Sequence, residues 1–421
     1  MTRRTAYLVV AAAAIVPRLA VLFRERGDLL ASFTEKSDRF ARTFVDHGTF
    51  GFIPGEPSAW TQPLYTFFLI PIYWIFGREW WSVGVAQILV AAAAALIVYE
   101  TGRRFLSPRA GLIAALVTTL NPYLVWHDVH VNREILDQLL AAAVVFLTLL
   151  ATERTGQRGL AVPALLGFAL GLAILGNSRL VLLPLVTAGF LLWRLRTWAP
   201  VVGVLAVCAV TLVPWLVRNE VNVGCLTLTT DSRALWKANN RATYDVLDHG
   251  GWIDDVPNLA GAPPWPELAA DLTIPGTPTD ADECAQMRLY RSEVIDFWQD
   301  YPDEKVRLAG QAARMLWDPR SLRTEGRAEA GGFVDDVRTW VQPLYTLPLY
   351  VLALIGFFVL PRWIAVLFAS LLAYNTLAAL VFAGTTRYRV PWDFVLALAA
   401  GAAVVWLLDR RRRPAREANT P

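Results

Sequence analysis

Cysteine is almost missing: three residues in a chain of 421, too few for a disulfide framework. Charge is scarce as well. Asp, Glu, Lys and Arg make up 18% of the chain against 55% hydrophobic residues, which excludes an ordinary soluble domain. The first apolar run has no small-residue cleavage site behind it, so it reads as a retained helix and not a signal peptide. No internal repeat of the kind common in transporters is visible. The net charge of +3 says little by itself, and nothing points to nucleic acid as a partner.

What the chain has instead is apolar runs, many reaching the roughly 18–20 residues that cross a bilayer core of about 30 Å. Arg3 and Arg4 precede the first, at about 6–23, and place the N-terminus in the cytoplasm by the positive-inside rule. Further spans fall at about 83–101, 110–126, 134–152, 159–176, 179–193 and 198–216. Arg103, Arg104 and Arg109, and then Arg194 and Arg196, mark their cytoplasmic ends. The segment 62–76 is apolar but short and carries Pro63 and Pro71. Counting it as a span would put every basic loop outside, so it reads as an interfacial helix.

Residues 217–339 form the one long polar region, with helical stretches around Ser292–Trp298 and Glu304–Trp317 broken at Tyr301-Pro302. Spans at about 341–360, 363–383 and 391–408 return the chain to a cytoplasmic end at Arg410–Arg413. The expectation is an all-α polytopic membrane protein of about ten transmembrane helices. Interfacial helices sit in its first external loop, and a small α-rich region lies outside. The N-terminal membrane domain is 1–216, with the first external loop at 24–60 and the interfacial helix at 62–76. The external region is 217–339, the C-terminal helices are 340–409, and the basic tail is 410–421. Cys208 lies in an apolar run, whereas Cys225 and Cys284 share the polar region and can pair if it faces an oxidising compartment.

Sorted by this topology, the unusual polar residues gather on the outer face. Glu35, Asp38, Arg42, Asp46 and His47 lie in the first external loop, and Trp126-His127-Asp128-Val129-His130-Val131-Asn132-Arg133-Glu134 in the second. Arg179, Arg218 with Asn219, and Arg387-Tyr388-Arg389 stand at outer span ends. Carboxylates near hydrocarbon are costly unless solvated or paired, and arginines beside them suit a lipid-linked phosphate. The bland alternatives are a helix cap for Asp38, an interfacial anchor for Arg218 and a simple charge pair for Arg133 and Glu134. His127, Asp128 and His130 have a spacing that can ligate a metal.

The order of short motifs resembles the GT-C superfamily of polyprenyl-phosphate-sugar-dependent glycosyltransferases, near the protein O-mannosyltransferases and lipid A aminoarabinose transferases. The pieces are Ser37-Asp38-Arg39-Phe40-Ala41 with Gly48-Thr49-Phe50, Gln62-Pro63-Leu64-Tyr65, Asn121-Pro122 and Asn132-Arg133-Glu134. Pro214-Trp215-Leu216-Val217-Arg218-Asn219, Thr229-Thr230 with Leu235-Trp236-Lys237-Ala238-Asn239-Asn240, and Arg387-Tyr388-Arg389-Val390-Pro391 follow. The resemblance implies inverting transfer of a monosaccharide from a polyprenyl-phosphate donor to an external glycan, lipid or protein acceptor, within the plasma membrane of a prokaryote. An acid of the first loop would be the base. Asp38 is preferred and Glu35 is its rival, because the family's two adjacent acids before a tyrosine are not reproduced here. Arg218 leads the candidates for the donor phosphate, with Arg133, Arg179, Arg387 and Arg389. Asn219, Glu134, Tyr65, Asn239 and Asn240 are the substrate-binding candidates. The resemblance implies no cofactor with certainty, and it leaves open a divalent metal, which some relatives use. The alternatives are a transporter or flippase of a lipid-linked or small solute, and a non-catalytic subunit that scaffolds other envelope enzymes.

Overall fold

The computed structural model describes residues 1–31, 35–153, 161–251, 253–259, 282–320 and 336–417. Thr34, parts of the expected external region (260–281 and 321–335) and the end of the basic tail (418–421) lie outside the described residues. No strand occurs among the described residues beyond an isolated bridge between Ile53 and Glu56. The fold is all-α and polytopic.

The membrane part contains α1 (Arg3–Arg24), α3 (Pro63–Phe76), α4 (Trp80–Phe105), α5 (Pro108–Thr119), α6 (Pro122–His127), α7 (Glu134–Ala151), α8 (Ala161–Gly176), α9 (Leu183–Leu195) and α10 (Ala199–Val223). The short amphipathic α2 (Lys36–His47) lies in the first loop. Beyond α10 come α11 (Arg233–Lys237), α12 (Thr243–Asp248), α13 (Glu283–Asp300) and α14 (Pro302–Trp317), then α15 (Gln342–Val359), α16 (Arg362–Val381), α17 (Thr386–Arg389) and α18 (Asp393–Glu417). Eight helical segments among the described residues are long and apolar enough to cross a membrane. The other two of the ten expected spans are shorter. α8 has 16 residues, and the expected 110–126 is cut, because α5 stops at Thr119 and Asn121 caps a new helix begun by Pro122. At 14 residues, α3 is about 21 Å long at 1.5 Å per residue, short of a bilayer core.

The membrane core closes around α18, whose stretch from Val395 to Ala400 is almost wholly buried. Small residues let its neighbours approach: a Cβ on Gly356 of α15 would collide with the Ala399 carbonyl, and one on Gly401 with that of Ala110 in α5. α7 and α18 also define the two ends of the molecule. Glu134 and Arg387 stand together at their starts, while past the far end of α7 Glu153 pairs with Arg104, and in the later turns of α18 Asp409 pairs with Arg109. Arg3 meets Glu100 at this same basic end.

At the other end α11–α14 are fastened to the first loop. Cys225 and Cys284 form a disulfide with Cα atoms 6.0 Å apart. Beside it, the Glu283 carboxylate accepts from the Ala59 amide at 3.1 Å and the Thr230 hydroxyl at 2.7 Å. The Thr230 amide donates to the Ala59 carbonyl at 2.9 Å. Phe40, Phe50, Phe52, Trp60, Trp215, Trp236 and Tyr290 pack into one aromatic cluster under this junction. The break at Tyr301-Pro302 falls as the sequence implies, between α13 and α14.

Candidate active site

A cleft of about 640 Å³ opens where these loops converge. Its walls come from the start of α2, the residues before α3, α7 and α9, helix α11, and the segment 382–388. The contributors before α3, α7 and α9 sit where an apolar helix starts, so their polar side chains are freed from packing against other helices. Glu35 is the N-cap residue of α2, yet its carboxylate makes no capping hydrogen bond. It reaches Arg387, whose guanidinium also takes Glu134 at the start of α7. One arginine thus joins carboxylates from two loops.

Two further arginines line the cleft. Arg133 donates to the Gln62 side chain at 2.6 Å and stands 3.8 Å from Glu134. Burial works to lower its pKa, but the charges of Glu134 and Asp137 more than offset this and hold it in the charged form. Arg179 lies in the Asn177–Leu180 break between α8 and α9, where the Asn177 side chain accepts from its amide. The Arg179 guanidinium lies 3.7 Å from the Tyr388 ring centroid and 5.5 Å from that of Phe382, and donates from Nη2 to the Ala383 carbonyl at 3.3 Å. Its Nη1 is buried with no hydrogen-bond partner. On the wall formed by α2 and α11, Lys36 pairs with Asp231 at 3.0 Å. Burial pushes the Asp231 pKa up, but Lys36 and Arg233 outweigh it and hold the carboxyl below its usual range.

Residues 57–217 match the family described as dolichyl-phosphate-mannose-protein mannosyltransferase. No curated protein matches the chain. Among solved structures, the oligosaccharyltransferase AglB from Archaeoglobus fulgidus, in complex with an inhibitory peptide and a dolichol-phosphate, aligns with a TM-score of 0.52 at 13% identity. The alignment covers 99% of this chain and 52% of that one. The same oligosaccharyltransferase tethered with an acceptor peptide gives 0.56 at 13% identity, over 97% of this chain and 50% of the other. The chain shares the membrane fold of that oligosaccharyltransferase. It spans about half the length of that oligosaccharyltransferase. A weaker likeness, with a TM-score of 0.44 at 15% identity over 96% of this chain and 78% of the other, is to ArnT from Cupriavidus metallidurans bound to undecaprenyl phosphate.

Within this fold the sequence candidates divide. Glu35, Arg133, Arg179 and Arg387 line the cleft, with Glu134 behind Arg387. Asp38 does not. It is buried, with Arg78 donating to Oδ1 at 2.8 Å and to Oδ2 at 3.0 Å and the Tyr73 hydroxyl donating to Oδ1 at 2.5 Å. It borders a second hollow of about 490 Å³, which Glu35 and Lys36 share. Arg218 is likewise outside the cleft. Its guanidinium donates to the carbonyls of Ser58 and Phe50 at 2.8 and 2.9 Å and to Asn219 Oδ1 at 2.9 Å, clasping the first loop.

Arg389 is fully buried between Asp393 and the carbonyls of Leu316 and Asp318. Asn219 holds the Thr227 carbonyl, Tyr65 bonds Gln87, and Asn239 joins Leu235, Val381, Trp298 and Lys305. Asn240 caps the turn at Ala242. From the Thr229–Asn240 stretch it is Asp231, Arg233 and Lys237 that reach the cleft, not the asparagines.

The expected metal set does not assemble. Asp128 is paired with Arg18 at 2.7 Å, His127 Nδ1 is 2.9 Å from the Asn132 amide nitrogen, and His130 Nδ1 is 2.8 Å from the Trp126 carbonyl. No group of three or more His, Cys, Asp or Glu placed to hold a metal occurs among the described residues. In the cleft each carboxylate meets a cation instead, so the donors present do not fit a divalent ion.

Proposed function

We propose that this protein is an inverting membrane glycosyltransferase that moves a monosaccharide from a polyprenyl-phosphate donor to an acceptor hydroxyl or amine on the external face. The observation that carries it is the unpartnered Nη1 of Arg179, buried in a cleft it shares with Arg133 and Arg387. A buried guanidinium with an unused donor is costly unless a ligand supplies the acceptor, and a phosphate oxygen fits that place. Placement on the external face is supported by the Cys225–Cys284 disulfide, which needs an oxidising compartment. It is also supported by the basic end formed by Arg3, Arg104 and Arg109 at the far side of the helices.

In this mechanism the acceptor oxygen attacks the anomeric carbon from the face opposite the phosphate. The bond from that carbon to the phosphate oxygen breaks, and its electron pair leaves with the polyprenyl phosphate. The acceptor proton passes to the Glu35 carboxylate. Arg133, Arg179 and Arg387 stabilise the charge that develops on the leaving phosphate. Glu35 takes the role of base over Asp38 because it lines the cleft and only its Oε1 is engaged by a side chain among the described residues. Both oxygens of Asp38 are committed to Arg78, so Asp38 positions α2 against the end of α3.

The test is release of polyprenyl phosphate from a polyprenyl-phosphate-sugar by the purified protein. Glu35→Gln should lower turnover roughly 10²–10⁴-fold, the usual contribution of a positioned base, while Asp38→Asn should lower thermal stability first. Wild-type turnover in Glu35→Gln, with an inactive but stably folded Asp38→Asn, would return the base to Asp38.

A further inference from the structure

The cationic side chains of the cleft fall into two groups. Arg133, Arg179 and Arg387 flank the membrane helices α7, α9 and α18, whereas Lys36, Arg233 and Lys237 come from the start of α2 and from α11. In the second group Lys36 has Asp231 as a close partner, and Arg233 stands 3.8 Å from the exposed carboxylate of Asp254. Lys36 and Arg233 both lie over the Trp60 ring, 5.5 and 5.9 Å from its centroid.

Lys237 differs from both. It is 3% exposed, and its ammonium donates at 2.5 Å to a backbone carbonyl, that of Asp254, with no carboxylate in ion-pair range among the described residues. An ammonium has three donors, and burying one without a counter-charge is unfavourable. Burial and then the charge of Arg233 push its pKa down, and the nearby charges of Asp254 and Asp255 only partly offset this.

We propose that Lys237, with Lys36 and Arg233, is an anion-recognition site for the acceptor, and that the acceptor carries a carboxylate or a phosphate group. The proposal rests on the glycosyl-transfer reading above. It assigns the anion to the acceptor because these residues belong to the first loop and to α11, whereas the arginines stand at the ends of membrane helices. Lys36 directly follows Glu35, so an acceptor held by its anion at Lys36 and Lys237 presents its hydroxyl beside the base.

The experiment titrates the full-length protein in nanodiscs with glucuronate, glucose 6-phosphate and glucose, in the presence of saturating polyprenyl monophosphate. At least one anionic sugar should bind about tenfold or more tightly than glucose, the scale of one charge-assisted contact. Which of the two is preferred identifies the group. Lys237→Gln should erase the preference and leave polyprenyl monophosphate affinity unchanged, and Lys237→Arg should restore much of it. If Lys237→Gln does not fold, Arg233→Gln is expected to weaken the same preference.

Equal binding of all three sugars, or an intact preference in the folded variants, overturns the proposal. Displacement of the polyprenyl monophosphate by the anionic sugar overturns it too, since the two groups would then be one site. Failure of the wild type to bind polyprenyl monophosphate counts against the donor reading instead, with the sugar preference judged on its own.

Discussion

Replacing Arg179 by Gln tests the donor site at its most specific point. The guanidinium is held before any ligand arrives, by the Tyr388 ring at 3.7 Å and the Ala383 carbonyl at 3.3 Å. Little ordering entropy therefore remains to be lost on binding. What a phosphate gains at Nη1 is one charge-assisted hydrogen bond, about 1.5–3 kcal/mol, which corresponds to roughly tenfold to hundredfold in affinity. Arg179→Gln should weaken polyprenyl monophosphate binding by that factor, and Arg179→Lys should fall between it and the wild type because the charge remains and the fork is lost.

Arg218→Gln is the matched control. Its guanidinium serves the Phe50 and Ser58 carbonyls, so it should lower thermal stability by about 1–3 kcal/mol with donor affinity unchanged. The assay is equilibrium binding of a labelled polyprenyl monophosphate in nanodiscs, paired with thermal unfolding of each variant. Wild-type affinity in folded Arg179→Gln, together with a loss in Arg218→Gln, would reverse the assignment of the two arginines.

Two other outcomes bear on the external region. The disulfide closes a separation of 59 residues, so Cys225→Ser with Cys284→Ser should reduce stability by about 2–4 kcal/mol; an unfolding temperature equal to the wild type under non-reducing conditions would contradict that. Burial holds the Lys305 ammonium down to about 8 from its ordinary 10.5, where it donates to Asn239 and the Leu380 carbonyl. Between those two values the unfolded chain binds more protons than the folded one, so stability rises with pH through that window. Thermal unfolding should show the wild type gaining on Lys305→Met as pH rises through it, and a constant gap would refute the burial.

The membrane architecture was legible in the sequence because an apolar run can be read directly against the bilayer thickness, and the basic residues at span ends fix the alternation. The site was legible only as a neighbourhood. Glu35 and Arg387 meet across 352 positions, a contact that one sequence does not reveal, although both belong to stretches whose charge was out of place. Arg218 shows why: a cation closing a span looks the same in sequence whether it serves a ligand or, as its present contacts do, two backbone carbonyls. The choice between Glu35 and Asp38 turned on where α2 begins. At the cap, Glu35 is free to turn into the cleft, while Asp38, one turn further on, faces Tyr73 and Arg78. The His127-Asp128-His130 spacing was real, but the chain leaving α6 sends each side chain to a different partner. Lys36, Asp231, Arg233 and Lys237 were not selected, although each lies within or beside a quoted motif; their signal was charge beside residues chosen for family resemblance.

The sharing of Arg387 by Glu35 and Glu134 bears on turnover. With no ligand bound, this guanidinium already has its counter-charge, so any phosphate that reaches it displaces carboxylates instead of filling a void. Glu134 keeps its charge throughout, and Glu35 regains its own once it gives up the acceptor proton, so both can reclaim the arginine from a departing lipid phosphate. On the glycosyl-transfer reading proposed above, this competition caps how tightly a spent carrier is retained, a ceiling on which repeated turnover with a membrane-anion product depends.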